Sequence, residues 1–130
     1  MPDRHHLGEL QLAIMRVLWE TEGATVQQVH AALQSERGIA ASTIGTMLQK
    51  MERKGAVRHR RDGRRYVYRA AVTEAAVRRS MVDALTDRLF GGDPMALLGH
   101  LVREEEIDGL DLQALREEIA RREKEREEES

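Results

Sequence analysis

A change of period at Gly55 constrains this chain more than any other feature. Before it, Ile44, Met47, Leu48 and Met51 recur at helical spacing and define one apolar stripe. After it the pattern alternates. Val57-Arg58-His59-Arg60 reads as a strand, Arg61-Asp62-Gly63-Arg64 as a turn, and Arg65-Tyr66-Val67-Tyr68-Arg69 as the returning strand. Asp-Gly between two such runs is a strong hairpin signal. Gly55 itself fits the left-handed position that ends a helix. A helix that passes directly into a two-stranded hairpin admits few architectures.

At about 100° per residue, Ser42, Thr43, Thr46, Gln49, Lys50 and Arg53 fall opposite the apolar stripe, with Gln49 and Arg53 at its margins. No acid appears on this helix before Glu52. Ser42 is the expected N-cap, and Lys50, Arg53 and Lys54 suit the last turns. Short polar side chains followed by cations suit a DNA major groove, so these six residues are the expected base and phosphate contacts. The plainer alternative is an ordinary amphipathic surface helix. The hairpin shifts the balance, because Arg60, Arg61, Arg64 and Arg65 cluster at its tip. A cationic wing tip reaches phosphates or the minor groove. The same arginines also protect an exposed strand edge, and the two roles are compatible.

Upstream, Leu7, Leu10, Ile14, Val17 and Leu18 mark a first helix from about Glu9 to Thr21, with Trp19 in the core and Gly23 at the exit. Thr25 with Gln28 fits a capping box that opens a second helix. Val29, Ala32 and Leu33 are its expected buried face, with His30 a half-buried structural histidine and Gly38 in the following loop. Two short helices, a tight connection and a polar-faced third helix follow helix-turn-helix logic. The expected fold class is therefore mainly α with a small β-hairpin wing: a winged helix-turn-helix over residues 7–71.

Downstream, Thr73 caps a fourth helix with Val77, Met81, Leu85 and Leu89 on one face, closed by Gly91-Gly92. Asp93-Pro94 opens a strongly apolar fifth helix carrying Met95, Leu97, Leu98, Leu101 and Val102. Asp108-Gly109 breaks it, and Asp111 is the expected cap of a last helix anchored by Leu112, Leu115 and Ile119. These helices hold more apolar side chains than an appendage buries alone. Residues 73–121 are thus expected to be a dimerisation region, built on Met81, Leu85, Leu89, Leu97, Leu98, Leu101, Leu112, Leu115 and Ile119. Folding back onto the winged unit is the alternative. Residues 122–130 are almost wholly charged, an expected tail that frays or projects as a solvated helix.

Charge separates along the chain. From Lys50 to Arg69 nine cations face only Glu52 and Asp62, whereas from Arg103 onward six cations face twelve acids. The basic stretch can neutralise phosphates and the acidic end is held away from them. With no cysteine, disulfides, thiolate metal sites and thiol sensing are excluded. The only aromatic side chains besides histidine, Trp19, Tyr66, Tyr68 and Phe90, provide no platform for stacking single strands. No apolar run approaches membrane-spanning length and the N-terminus lacks a signal-peptide core, so the expected location is the cytoplasm. No cofactor or metal is expected, since the adjacent His5 and His6 have no third ligand nearby. Catalysis is not expected either. Glu104-Glu105-Glu106 reads as a solvated helix end, and Ser42, Ser80 and the five histidines show no nucleophile-and-base motif. The competing functional readings are a winged-helix module for protein or RNA, and a regulator that responds to a small ligand.

Four segments together carry a family resemblance: Leu12-Ala-Ile-Met-Arg-Val-Leu-Trp19, Ala24-Thr-Val-Gln-Gln-Val29, Ser42 to Gly55, and Gly63-Arg-Arg-Tyr-Val-Tyr-Arg69. In order and spacing they resemble the penicillinase-repressor (BlaI/MecI) family of winged-helix repressors, and Leu89-Phe-Gly-Gly-Asp-Pro94 resembles its linker. The resemblance runs from about Leu7 to Ile119. It implies a homodimeric repressor on inverted-repeat operators of double-stranded DNA, near β-lactamase-like or stress genes. It also implies a membrane-embedded sensor protease that cuts some members between asparagine or serine and phenylalanine. The matching position here is His100-Leu101, and neither residue fits that pair. A copper-responsive branch uses C-terminal cysteines, which this chain does not have.

Overall fold

The computed structural model describes residues 7–104 and 107–129. In chain order the elements are α1 (Glu9–Trp19), α2 (Val26–Arg37), α3 (Ala41–Lys54), β1 (Val57–Asp62), β2 (Arg65–Ala70), α4 (Glu74–Phe90), α5 (Pro94–Arg103) and α6 (Gly109–Glu129). Contacts divide the chain into two compact units, with the boundary between Ala84 and Leu85 inside α4. His5, His6, Glu105 and Glu106 lie outside the described residues.

The first unit is built on the apolar stripes of its helices. Ile14, Met15 and Leu18 of α1, Val29 and Leu33 of α2, and Ile44, Leu48 and Met51 of α3 share one core with Val57, Tyr68, Val72 and Val77. Ile44, Leu48 and Met51 are fully buried, each contributing about 1.5–3 kcal/mol. That burial fixes the rotation of α3 and turns its polar side outward. Met47 is only half-buried, and its sulfur accepts a hydrogen bond from Gln11 Nε2 at 3.3 Å. Gln11 is itself buried, a polar core residue that the apolar periodicity of α1 conceals.

Local details follow the sequence in most places. α1 stops at Trp19, short of the expected Thr21, and the indole Nε1 donates to the Val72 carbonyl at 2.9 Å. The Thr25 capping box forms: Gln28 N donates to Thr25 Oγ1 at 3.2 Å, and Thr25 N to Gln28 Oε1 at 2.9 Å. Ala32, expected in the core, is exposed. The buried stripe of α2 is narrow, defined by Val29 and Leu33 four residues apart, and Ala32 lies to one side of it. Ser42 does not cap α3. Ala40 holds that position without a side-chain bond, and its carbonyl accepts from Thr43 N at 3.1 Å and Ile44 N at 3.2 Å. The first turn therefore closes on backbone alone, two residues earlier than expected, and leaves the Ser42 side chain on the surface.

The hairpin is longer and its turn tighter than the sequence indicates. β1 and β2 pair antiparallel from Val57↔Ala70 to Asp62↔Arg65, so Arg61 and Asp62 stay in the ladder and only Gly63 and Arg64 turn. Gly63 takes φ 65°, the positive value that a two-residue turn demands. Ala24 exchanges hydrogen bonds with Tyr68 at 2.9 and 2.8 Å, anchoring β2 to the segment before α2. Next to it, a Cβ on Gly23 would fall 2.7 Å from Val67 Cγ1, so only glycine allows this approach.

In α4, Thr73 Oγ1 accepts from Ala76 N at 3.1 Å, and Asp93 Oδ1 accepts from Met95 N at 3.0 Å ahead of Pro94. The cap of α6 is Asp108 rather than Asp111. Asp111 N donates to Asp108 Oδ1 at 2.9 Å and Asp108 N returns to Asp111 Oδ2 at 3.2 Å, a reciprocal arrangement in which Asp111 is the inner partner. α6 continues through the charged residues to Glu129, with Arg121 and Arg122 both paired to Glu118. Among the described residues, no helix is long and apolar enough to cross a membrane.

Candidate nucleic-acid interface

α3 presents Ser42, Thr43, Thr46, Gln49, Lys50 and Arg53 as one exposed face. Ser42, Thr43, Thr46 and Lys50, with Met47, line a shallow groove of about 340 Å³; Gln49 and Arg53 flank it. Thr46 Oγ1 donates to the Ser42 carbonyl at 3.0 Å. Its proton is thus engaged within the helix, and what it offers outward is an acceptor lone pair and a methyl group. A methyl suits contact with thymine C5, and an acceptor suits the amino groups of adenine or cytosine.

The four wing arginines are all exposed but do not share a face. The register places His59, Arg61, Tyr66 and Tyr68 on one side of the hairpin, and Arg60, Val67, Asp62 and Arg65 on the other. Arg61 stacks its guanidinium 5.7 Å above the Tyr66 ring. Arg65 meets Asp62 at 3.6 Å, an exposed pair of small energetic weight. Arg64 occupies the turn itself. The tip thus points cations in three directions, which fits a groove wall or a backbone better than a flat surface.

A cluster between α3 and the wing has no counterpart in the sequence reading. Glu52 receives the His59 backbone N–H at 3.1 Å, and its carboxylate oxygens lie 2.6 and 2.8 Å from His59 Nδ1. The His59 ring packs against Tyr66 at 4.6 Å and Tyr68 at 5.6 Å. Burial pushes the Tyr68 phenol above its ordinary 10.0, and the charges of Glu52 and Tyr66 push the same way. Glu52 and His59 are seven residues apart and straddle the period change, so neither helical nor strand spacing links them.

In the second unit, Leu85 and Leu89 of α4 and Ile119 of α6 are 43%, 70% and 48% exposed. Leu97, Leu98, Leu101, Leu112 and Leu115 are half-buried, as is Met81 of the first unit. None of the α5 or α6 residues is fully buried, so these helices keep apolar surface uncovered in a single chain. His100 is exposed inside α5, its ring 5.7 Å from that of Phe90, and Leu101 is half-buried beside it.

Helix-turn-helix, outward polar helix and arginine-tipped hairpin together define a winged-helix protein of the DNA-reading class. The penicillinase repressor family model matches residues 7–121, and the chain belongs to that family. It is 39% identical over 116 residues to the transcriptional regulator BlaI of Mycobacterium tuberculosis, covering 88% of this chain and 83% of that one. It is 23% identical over 109 residues to the penicillinase repressor of Bacillus licheniformis, covering 84% and 85%. A solution structure of the DNA-binding domain of the repressor BlaI superposes with a TM-score of 0.51 at 28% identity, over 58% of this chain and 92% of that one.

Proposed function

We infer that this protein is a sequence-specific, double-stranded-DNA-binding transcriptional repressor that acts as a homodimer on an inverted repeat. The observation that carries the reading is the exposed face of α3, where hydroxyls, an amide and two cations are held outward by three fully buried side chains. Ser42, Thr43, Thr46 and Lys50 take the base-facing role, Gln49 and Arg53 its margins, and Arg60, Arg61, Arg64 and Arg65 the flanking backbone. Uncovered leucines in the second unit support self-association, which places two reading helices on two half-sites. The activity is binding rather than catalysis, and it takes place in the cytoplasm on the chromosome, at promoters of β-lactamase-like or stress genes. Relief of repression by a sensor protease at His100-Leu101 would require local unwinding, because that bond lies within α5.

Fluorescence anisotropy at about 50 and 200 mM salt tests the reading, using fragments from the gene's own upstream region and shuffled duplexes. The expected result is tight, salt-sensitive binding to one fragment with two chains per site and a clear margin over shuffled DNA. Equal binding to both classes contradicts sequence-specific repression there. No binding at low salt favours a protein-interaction module instead.

A further inference from the structure

Glu52 is one of two acids among nine cations between Lys50 and Arg69. On a phosphate-facing surface its charge alone weakens binding, so its geometry calls for another explanation. We propose that Glu52 and His59 are specificity-determining positioning residues that lock the wing to the reading helix, so that α3 and the arginine tip meet a duplex in one fixed register. This rests on the DNA-reading function proposed above.

One carboxylate takes all of the polar contacts. It accepts the His59 backbone N–H at 3.1 Å and lies 2.6 and 2.8 Å from the ring Nδ1. A carboxylate only accepts, so Nδ1 carries a proton and the bond is charge-assisted. Tyr66 and Tyr68 of β2 hold the imidazole from the other strand, and Tyr68 is itself fixed by its backbone bonds to Ala24. Arg61 over Tyr66 carries the contact on to the tip. The result is a continuous path from α3 through Glu52, His59 and Tyr66 to a wing arginine.

The wing needs such a tie. A two-stranded hairpin is marginal by itself, and every β1 residue after Val57 is exposed. Apolar packing therefore holds the wing through Val67 and Tyr68 of β2, and leaves β1 beyond Val57 and the two outermost pairs to polar contacts. A tip free to swing still attracts phosphates, but its register with the bases read by α3 is lost. Affinity and discrimination thus depend on different atoms.

The test uses the full chain, the duplex that the wild type enriches from a random pool, and a shuffled duplex of equal length. Wild-type failure to enrich any duplex overturns the DNA-reading function itself, before any variant is compared. With an enriched duplex in hand, Glu52→Ala is expected to bind it about tenfold more weakly while binding shuffled DNA as tightly or more tightly. His59→Ala is expected to lose a similar factor on the enriched duplex with no change on shuffled DNA, and the double variant to be no worse than the weaker single one. Glu52→Gln, which keeps one acceptor oxygen, should recover part of the discrimination and serves if the alanine variant unfolds. Tighter binding of Glu52→Ala to both duplexes by one common factor would mean that Glu52 is only a charge, and equal loss on both would mean only a structural defect. Either result overturns the proposal.

Discussion

Tyr68 shows how one side chain ties stability to the wing. Its phenol sits in the core and its pKa lies above 10.0, chiefly through burial. Above that pH the unfolded chain releases this proton while the folded chain retains it, so stability is fully present below 10.0 and declines as pH rises toward the folded value. The expected outcome is that Tyr68→Phe flattens the alkaline fall in thermal midpoint above pH 10.0, measured by circular dichroism; an unchanged fall would assign it to other groups. At this scale the sequence was least informative. Buried Tyr68 and Gln11 are polar tips among apolar neighbours, and Glu52 and His59 meet only because a helix end and a strand converge. Long-range polar pairs leave no periodic trace.

The elements were far more legible, because periodicity is a local consequence of burying one face. The stripe of α3, the left-handed Gly55 at φ 88°, the Thr25 box and the Asp93-Pro94 start all stand where the residues indicate, whereas Gly38, expected in the loop, is itself the left-handed cap of α2 at φ 59°. What failed was choosing between nearby polar caps. Ser42 and Asp111 are both good cap types, yet Ala40 and Asp108 hold the positions, because backbone geometry decides which residue lies at the boundary. The wing turn shifted for a related reason: Gly63 is the first turn residue, which lets Asp62 pair with Arg65. The split of wing and helix roles predicts distinct signatures. Arg64→Ala, at the turn, should weaken binding to all duplexes and reduce the salt slope by about one. Thr46→Ala should leave random-duplex affinity unchanged while altering base preference at one position by about tenfold, read by binding-site selection. Identical losses on selected and random DNA for both variants would contradict the division.

For the whole molecule, the winged core was legible in the chain because the buried residues of α1 to α3 and the hairpin close on one another, but Val72 and Val77 join that core from beyond the hairpin. The second unit was legible only as helices with leftover apolar surface, and Leu89 is 70% exposed. Self-association makes a direct prediction. Leu89→Glu changes an exposed residue and so should fold normally, yet sediment as a 14.8 kDa chain where the wild type sediments near twice that mass. A wild type that is already monomeric at micromolar concentration would rule out the dimer. Amide chemical-shift mapping with an upstream duplex shows whether α3 and the wing are the DNA-reading surface. Perturbations are expected to concentrate at Ser42 to Arg53 and Arg60 to Arg65 and to grow as salt is lowered. Perturbations confined to α1 and α4, with α3 and the wing silent, would contradict that role.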